Sequence, residues 1–561
     1  MKTTLHLLKK LSFLIVCLMM VNMSETIAQT EITVEEGFNT LYDAVVANPG
    51  ATLILKRGGS YVIDQAVVIN VPTIIKGETE PAETAPAVLS FFADPGLAGG
   101  NSLFKVGADL ILKDFGMMGF TWDDQQIGPL TQVTTRGVTF TIDGCDIQGA
   151  NEVTETNGNN SLTITHKNCT FMNLVNVGWD NYGGFGSMWG GDSTTFTSVN
   201  NTVFVCGRIF NCAYIGPNAL ETMEHNSYVN VWGELFYPSI SDGFVVKNNI
   251  MFNPDIRGYV GKRAFLNASG DTLAKWPGDF SDFTSSNPRD SLQGDIGLFP
   301  SVGTIDNTLR NVVVTNNLRY TEQIVKDNQA LATACLQPMM NDSVKITFET
   351  YGWIYENNID DMEGEAVNPE FAMGAFPDSV YTWMFKERQE RHRVDLQGEG
   401  FPYSCGWWPN GAKMGTFIWP LPFDLKPMNT DIWASGDDGY PLGDLNWFGP
   451  EVVTAWENGD PSPVVIPTGV DNVKSTDLKL SNYPNPFSNS TRITYSVPSQ
   501  SRVTLKVYNV TGTEVATLVD KTQAAGSHEV TMSGADLSNG MYYCKIQVGK
   551  LSQVLKLSVV K

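Results

Sequence analysis

The chain has 561 residues, and its 60 acidic side chains outnumber its 37 Lys and Arg, which gives a formal net charge of −23. A chain this acidic is a poor partner for nucleic acid and for anionic membrane surfaces, so both are excluded as expected partners. The length allows two or three domains, and 52 glycines with 11% aromatic residues favour β structure with many turns.

Residues 1–28 have the pattern of a secretory signal peptide. Lys9 and Lys10 precede the apolar run Leu11–Met20, and small residues up to Ala28 offer a cleavage site. No other stretch is apolar over a bilayer-spanning length, so the sequence predicts no transmembrane segment.

A helix capped by Asn39 and running through Ala47 is predicted next, ended by Asn48-Pro49-Gly50. Stacked β structures need such a cap, because an end coil would otherwise expose its core and its free strand edges. Strands separated by Gly and Pro follow at Thr52–Leu55, Tyr61–Ile63, Val67–Ile69, Thr73–Ile75 and Leu110–Leu112.

A repeat then organises the chain: a few extended residues, a two-residue polar step that is often Asn-Asn, and apolar residues on alternate positions. The second residue of each step falls at Gly144, Asn168, Asn201, Asn226, Asn249, Asn317 and Asn358. Three of the intervals are 23–25 residues, and a period in the low twenties with strand-like pieces indicates stacked β coils. Asn suits such a corner because it tolerates left-handed backbone, and its amide can bond to the amide one coil above.

This repeat pattern resembles the pectate-lyase-like superfamily of right-handed parallel β-helices. The regular coils are predicted from about Val138 to Asp361. We expect the apolar residues on both sides of the step to face the core, as with Phe244 and Val246 before it and Ile250 and Phe252 after it. The predicted fold class is therefore all-β.

Two cysteines occupy equivalent positions on neighbouring coils. Cys145 and Cys169 each follow the polar step directly, and stacked strands about 4.8 Å apart bring such residues within disulfide range. Without Cys17 of the leader, seven cysteines remain, and an odd number does not suggest a disulfide framework. We predict two buried thiols.

The predicted passenger domain spans residues 29–456. Its last part, residues 365–456, is rich in Trp and is interpreted as a C-terminal cap that wraps back over the last coils. Residues 457–476 contain Asp460-Pro461-Ser462-Pro463 and are predicted to be a semi-rigid linker.

Residues 477–561 alternate short strands and Gly-containing turns, which predicts a small β-sandwich. The segment resembles the C-terminal sorting domain of type IX secretion cargo. The matching motifs are Asn482–Phe487, Ile493–Tyr495, Val507–Gly512, Gly526–His528, Leu537–Tyr543 and Lys556–Lys561. Met532 stands where many relatives carry Trp. The resemblance implies a type IX secretion machinery as partner, export across an outer membrane, and removal of this domain with surface attachment or release.

Coil arithmetic places the residue directly before each step on the solvent face, where it forms a column. His166, Glu224 and Lys247 fall in this column. Elimination on a uronate needs a cation near the carboxylate and a base for the C5 proton, and such a column offers both. The alternative is an ordinary ion pair between coils on a solvated face.

The insertion at 179–192 carries Trp179, Tyr182 and Trp189, which are predicted to stack on sugar rings. The alternative is a loop held down by its own aromatic rings. No cofactor is predicted with certainty. Calcium is suggested only by the pairs Asp123-Asp124 and Asp360-Asp361, which turn chemistry also explains.

The sequence contains no P-loop, HExxH, CxxC pair or Gly-x-Ser-x-Gly motif, so the chemistry of those families is unsupported. We therefore predict a secreted or surface-attached β-helix protein that binds glycan or acts in adhesion. The alternative is a carbohydrate-active enzyme, a polysaccharide lyase or glycoside hydrolase, and the sequence leaves this choice open.

Overall fold

The structure is a computed structural model, and it falls into two compact units, Met1–Ile466 and Pro467–Lys561. It describes residues 30–92, 102–121, 126–156, 161–174, 184–187, 193–207, 219–231, 241–254, 265–266, 272–273, 307–327, 339–340, 342–364, 366–382, 417–420, 423–460, 478, 480–485, 487–497, 501–509, 514–524, 526–535, 537–548 and 551–561.

The first unit is a parallel β-helix, which confirms the predicted fold class. Consecutive coils contribute strands to two 11-stranded parallel sheets, and five coils add a strand to a third. The first sheet contains β1 (Glu31–Val34), β3 (Thr52–Leu55), β6 (Thr73–Gly77), β9 (Leu110–Lys113), β12 (Thr139–Asp143), β15 (Thr163–Lys167), β18 (Thr195–Val199), β20 (Leu220–Glu224), β22 (Gly243–Lys247), β26 (Asn311–Thr315) and β28 (Ile354–Glu356). The second contains β2 (Gly37–Phe38), β4 (Ser60–Ile63), β7 (Val88–Phe91), β10 (Gly116–Thr121), β13 (Asp146–Gln148), β16 (Thr170–Leu174), β19 (Thr202–Cys206), β21 (Ser227–Val231), β23 (Ile250–Phe252), β27 (Leu318–Tyr320) and β29 (Ile359–Asp360). The third contains β5 (Val67–Ile69), β8 (Phe104–Val106), β11 (Thr131–Val133), β14 (Glu152–Glu155) and β17 (Gly184–Ser187). A separate antiparallel pair joins β24 (Phe265–Leu266) to β25 (Thr272–Leu273).

The first coils carry the predicted helix, α1 (Thr40–Ala47), whose Leu41 and Val45 are buried. Asn39 precedes it with φ of 58° but makes no side-chain capping bond. Instead its amide bonds to Asp64, from Nδ2 to Oδ1 at 2.9 Å. Asn39 therefore occupies the predicted N-cap position, but its side chain ties the helix to the neighbouring turn and does not cap it. Two further helices, α2 (Gln323–Asp327) and α3 (Asp342–Tyr351), leave the later coils.

The interior of the coils is a continuous apolar core. Along the first sheet, side chains alternate between the interior and the outside, as strand geometry requires. Phe244 and Val246 are buried in this core, as predicted. Stacked residues of one column, such as Phe140 and Ile164, pack in register.

A ladder of buried asparagine amides runs along one corner. Each Nδ2 donates to the Oδ1 one coil further on, at 3.0 Å from Asn201 to Asn226, 3.0 Å to Asn249, 2.9 Å to Asn317 and 2.9 Å to Asn358. The predicted amide stacking is confirmed for these five residues.

On the later coils, the residue with left-handed backbone at this corner is not the second residue of the step, as predicted, but the first. Positive φ occurs at Gly144, Asn168, Asn200, His225, Asn248, Asn316 and Asn357. In the Asn-Asn steps the first residue makes the corner and the second makes the ladder. On the coils of Gly144 and Asn168 the ladder position is taken by Cys145 and Cys169 instead. The Cys169 backbone N–H donates to Asn201 Oδ1 at 2.9 Å.

The Cys145 and Cys169 thiols are buried and form no disulfide, as predicted. Cys169 Sγ donates to Lys167 O at 3.0 Å. Burial raises the pKa of both thiols, so they are held in the protonated form.

A second apolar core lies outside the second sheet. Ile250 and Phe252 face away from the coil interior and pack against Phe371, Phe423 and other side chains of the segment 371–442. Met251 between them points into the interior. Our prediction that Ile250 and Phe252 face the coil core is therefore wrong, because a later part of the chain buries the other face of this sheet.

Within the predicted cap region 365–456, the described residues pack along the side of the coils. We name residues 429–460 the corner strap. It contains two 3₁₀ turns, Thr430–Ile432 and Leu445–Phe448, and helix α4 (Pro450–Glu457). Helix α4 and the bond from Tyr440 Oη to Asp460 O extend this unit beyond the predicted boundary at residue 456.

The corner strap bonds to the left-handed corner on successive coils. Asn316 Nδ2 donates to Ser435 O at 2.8 Å, and Gly443 N donates to Asn248 O at 2.8 Å. Further along, Asn446 Nδ2 donates to Asn200 O at 2.9 Å. The strap therefore runs antiparallel to the coil order, covering the polar backbone at the corner.

The second unit has the predicted β-sandwich arrangement of strands. One sheet pairs β30 (Ser481–Tyr483), β31 (Ser490–Val497) and β34 (Gly526–Ser533), and the other pairs β33 (Glu514–Gln523), β32 (Ser501–Asn509), β35 (Gly540–Val548) and β36 (Leu551–Val559). Val503, Leu505 and Val507 point into its apolar core, together with Met532.

Candidate functional site

The outer face of the first sheet carries columns of side chains in strict register. From β9 to β26 the strands pair without a register shift. The same outward position therefore recurs on each coil, about 4.8 Å from the next. The column beside the corner contains Lys113, Asp143, Lys167, Val199, Glu224, Lys247 and Thr315.

His166 does not belong to this column. It lies opposite Ile142 and Ser198, faces the interior, and is fully buried. Its ring contacts that of Phe196 edge to face, with centroids 5.4 Å apart, and burial lowers the pKa of His166 to about 3. The predicted grouping of His166 with Glu224 and Lys247 is wrong, because the register was counted one residue off on its coil.

Glu224 and Lys247 are brought together as predicted. Lys247 Nζ lies 2.8 Å from Glu224 Oε1 and 3.3 Å from Asp437 Oδ1 of the corner strap. Burial alone would lower the pKa of Lys247, but the two carboxylates outweigh it and raise the pKa above its ordinary value. Lys247 is therefore held as an ammonium ion, the wrong form for abstracting a proton at neutral pH.

The other charges of this column also pair with one another. Asp143 Oδ2 lies 3.1 Å from Lys113 Nζ and 3.4 Å from Lys167 Nζ, which also approaches Glu457 of the strap at 3.7 Å. Each described lysine of this column thus has a carboxylate partner.

A cluster of Glu224, His225 and Asp438 has three potential metal-ligand atoms within 4.8 Å of one another. Its two carboxylates already have partners, however. Asp438 accepts from His225 Nε2 at 2.8 Å, from Trp456 Nε1 at 3.0 Å and from the Tyr440 N–H at 3.1 Å. Burial would raise the pKa of Asp438, but the bonds from His225 and the Tyr440 N–H and the nearby positive charge of Lys247 together outweigh it and lower the pKa.

These contacts of Asp438, together with the ion pair between Lys247 and Glu224, indicate that the cluster holds the corner strap against the coils. A cation would have to displace those partners before it could bind.

The acidic pair Asp360-Asp361 likewise holds protein cations. Asp361 lies 2.7 Å from both Arg319 Nη1 and Lys326 Nζ, and it accepts from the Thr321 N–H at 2.8 Å. Asp360 accepts from the Met339 N–H at 2.6 Å. These carboxylates therefore hold a buried arginine, and their contacts do not fit the calcium site that the sequence suggested. The pair Asp123-Asp124 lies outside the described residues.

Two columns of threonine lie on the same outer face, away from the corner. One contains Thr139, Thr163 and Thr195, and the other contains Thr141, Thr165, Thr197 and Thr222. All are at least partly exposed, and within the described part of the chain their hydroxyls make no hydrogen bond to protein. Ile111 continues the second column before Thr141, and Val245 and Val313 continue it after Thr222.

These columns were missed in the sequence, although a signal is present. Thr-x-Thr occurs at 139–141, 163–165 and 195–197, each time before a polar step. The strap carboxylates had no local signal, since Asp437 lies 190 residues from Lys247. The predicted stacking residues Trp179, Tyr182 and Trp189 lie outside the described residues.

Comparison with known proteins identifies the C-terminal unit. Residues 481–561 match the family model described as "Secretion system C-terminal sorting domain". No curated protein matches the chain. Among solved structures, a PL6 family alginate lyase is similar at 12% identity with a TM-score of 0.24, over 39% of this chain and 39% of that one.

Among the described residues, no helix has the length and apolarity needed to cross a bilayer. The sorting domain directs export by type IX secretion to the cell surface or the extracellular space. The chain thus consists of a parallel β-helix followed in sequence by a secretion-system C-terminal sorting domain at residues 481–561.

Proposed function

We propose that the β-helix is a non-catalytic, exported protein that binds polysaccharide on the outer face of its first sheet, in adhesion or capture. The observation that carries this proposal is the evenness of that face. Its strands keep one register over seven coils, so they present repeated side chains rather than a few convergent ones. A polymer made of repeated units is the natural ligand for a surface made of repeated units.

The state of Lys247 supports binding rather than elimination. A lyase needs a base whose pKa lies near 7. Lys247 is instead stabilised as a cation by Glu224 and Asp437. His166, the other predicted base, is buried among aromatic rings. Neither predicted base is therefore free to act on a uronate, and each described lysine of the column is paired with a carboxylate.

The test is a turnover and retention screen on the purified full chain. Uronate and neutral polysaccharides are incubated with the protein, with and without calcium, while ultraviolet absorbance of unsaturated uronates and reducing ends are followed. We expect no product, together with retarded migration of the protein in native gels containing a ligand glycan. Absorbance and reducing ends rising together would establish a lyase, and reducing ends alone a hydrolase; either result overturns the proposal.

A further inference from the structure

The two threonine columns define a neutral lattice on the outer face of the first sheet. Three coils carry threonine at both outward positions: Thr139 with Thr141, Thr163 with Thr165, and Thr195 with Thr197. A fourth coil adds Thr222. Hydroxyls therefore repeat about every 4.8 Å along the coil stack and about every 6.6 Å along each strand.

Each of these side chains offers one hydroxyl and one methyl group to the outside. A hydroxyl both donates and accepts, so it suits sugar hydroxyls of either orientation. The methyl groups, together with the partly exposed Ile111 and Val313 further along the second column, offer apolar contact to the C–H faces of sugar rings. Because β-branched side chains have few rotamers, the lattice loses little entropy when a ligand binds.

The charges at the rim of this lattice do not suit an acidic glycan. Lys113 and Lys167 share Asp143, and Lys247 is shared by Glu224 and Asp437. A uronate would have to break these pairs to gain a cation. The net charge of −23 also repels a polyanion on approach.

We infer that the ligand is an uncharged, unbranched polysaccharide that lies along the coil axis over the threonine columns, with successive sugars meeting successive coils. This inference rests on the proposed function and narrows it to one substrate class. It also predicts weak dependence of binding on salt, since no ion pair forms with the ligand.

The experiment measures binding of the full chain to two matched sets of polysaccharides by affinity gel electrophoresis. The neutral set is a β-1,4-glucan, a β-1,3-glucan and agarose; the acidic set is polygalacturonate and alginate. The test variants are Thr165→Val and the double variant Thr165→Val with Thr197→Val. Valine keeps the β-branched shape and removes only the hydroxyl, so the strand is preserved.

The matched control is Thr504→Val, an outward-facing threonine of β32 in the C-terminal unit. We expect binding within the neutral set, weakened about twofold to tenfold for each hydroxyl removed and unchanged in the control. Unchanged urea midpoints of the variants show that the fold is intact.

The outcomes separate the inference from the proposed function. Binding to the acidic set alone overturns the inference and leaves a glycan-binding protein. Neutral binding that is indifferent to both valine variants overturns the threonine columns as the site. Binding to neither set overturns the inference and the proposed function together.

Discussion

Replacing Asn249 with alanine tests how much the asparagine ladder stabilises the coils. Its Oδ1 accepts from the backbone N–H of Asn226 at 2.8 Å and from Asn226 Nδ2 at 3.0 Å. Its Nδ2 donates to Met223 O at 3.0 Å, Lys247 O at 2.9 Å and Asn317 Oδ1 at 2.9 Å. Five contacts at a fully buried residue, three of which share the two Nδ2 hydrogens, are therefore lost together.

A hydrogen bond contributes about 1 kcal/mol net, and a buried group left without a partner costs about 1–3 kcal/mol. Of the groups released, the Asn226 N–H lies fully inside the stack, whereas Asn317 Oδ1 still accepts from the Asn249 backbone at 3.1 Å. We therefore expect Asn249→Ala to lower the free energy of unfolding by about 3–5 kcal/mol.

Urea unfolding followed by Trp fluorescence measures this in the full chain. All 13 tryptophans precede residue 457, so the signal reports on the β-helix and is silent about the sorting domain. The control is Asn311→Ala, an exposed residue on a neighbouring stretch of the first sheet, which should change stability by less than about 0.5 kcal/mol. A loss below about 1 kcal/mol for Asn249→Ala, at unchanged urea dependence, would refute a stabilising ladder.

Three further results are expected. Arg319→Met leaves the buried carboxylate of Asp361 with less positive charge and should lower the free energy of unfolding by about 3–5 kcal/mol in the same titration; no loss would refute the structural role of this pair. Burial lowers the pKa of His166 from 6.5 to about 3, so the unfolded chain binds the extra proton. Stability that is full above pH 6.5 should fall by about 1.4 kcal/mol per pH unit towards pH 3, and His166→Phe should remove that part of the slope in urea titrations at several pH values. Lys247→Met breaks the pair with Glu224, whose side chain is only 15% exposed, and should lower the free energy of unfolding by about 1–3 kcal/mol while glycan retention in gels persists; lost retention would place the site at this lysine.

Local sequence patterns were enough to predict much of the fold. Alternation of apolar residues located strands such as β3 and β32, and the spacing of Asn201, Asn226 and Asn249 predicted a stack with an amide ladder. These features depend on near neighbours and on a fixed period, both of which are visible in one dimension. The sorting-domain motifs were likewise contiguous in sequence.

Register could not be settled from the sequence. Either residue of the two-residue step can be the corner. It is the second residue at Gly144 and Asn168 and the first residue on the later coils. Counting every coil from the second residue therefore shifted the predicted register by one position on the coils of Gly144 and Asn168. Because strand side chains alternate, one position is enough to turn a residue from the outer face to the core, as happened with His166.

Burial by distant segments was also beyond the sequence. Ile250 and Phe252 alternate as an inward pair would, yet they face outward and are covered by residues from 371 to 442. The partners of Lys247 and His225 on the corner strap, Asp437 and Asp438, lie 190 and 213 residues away. Periodicity along the chain was therefore enough to define the coil and its repeat. Which faces are covered and which charges are paired emerged only in three dimensions, because both depend on where a returning segment packs.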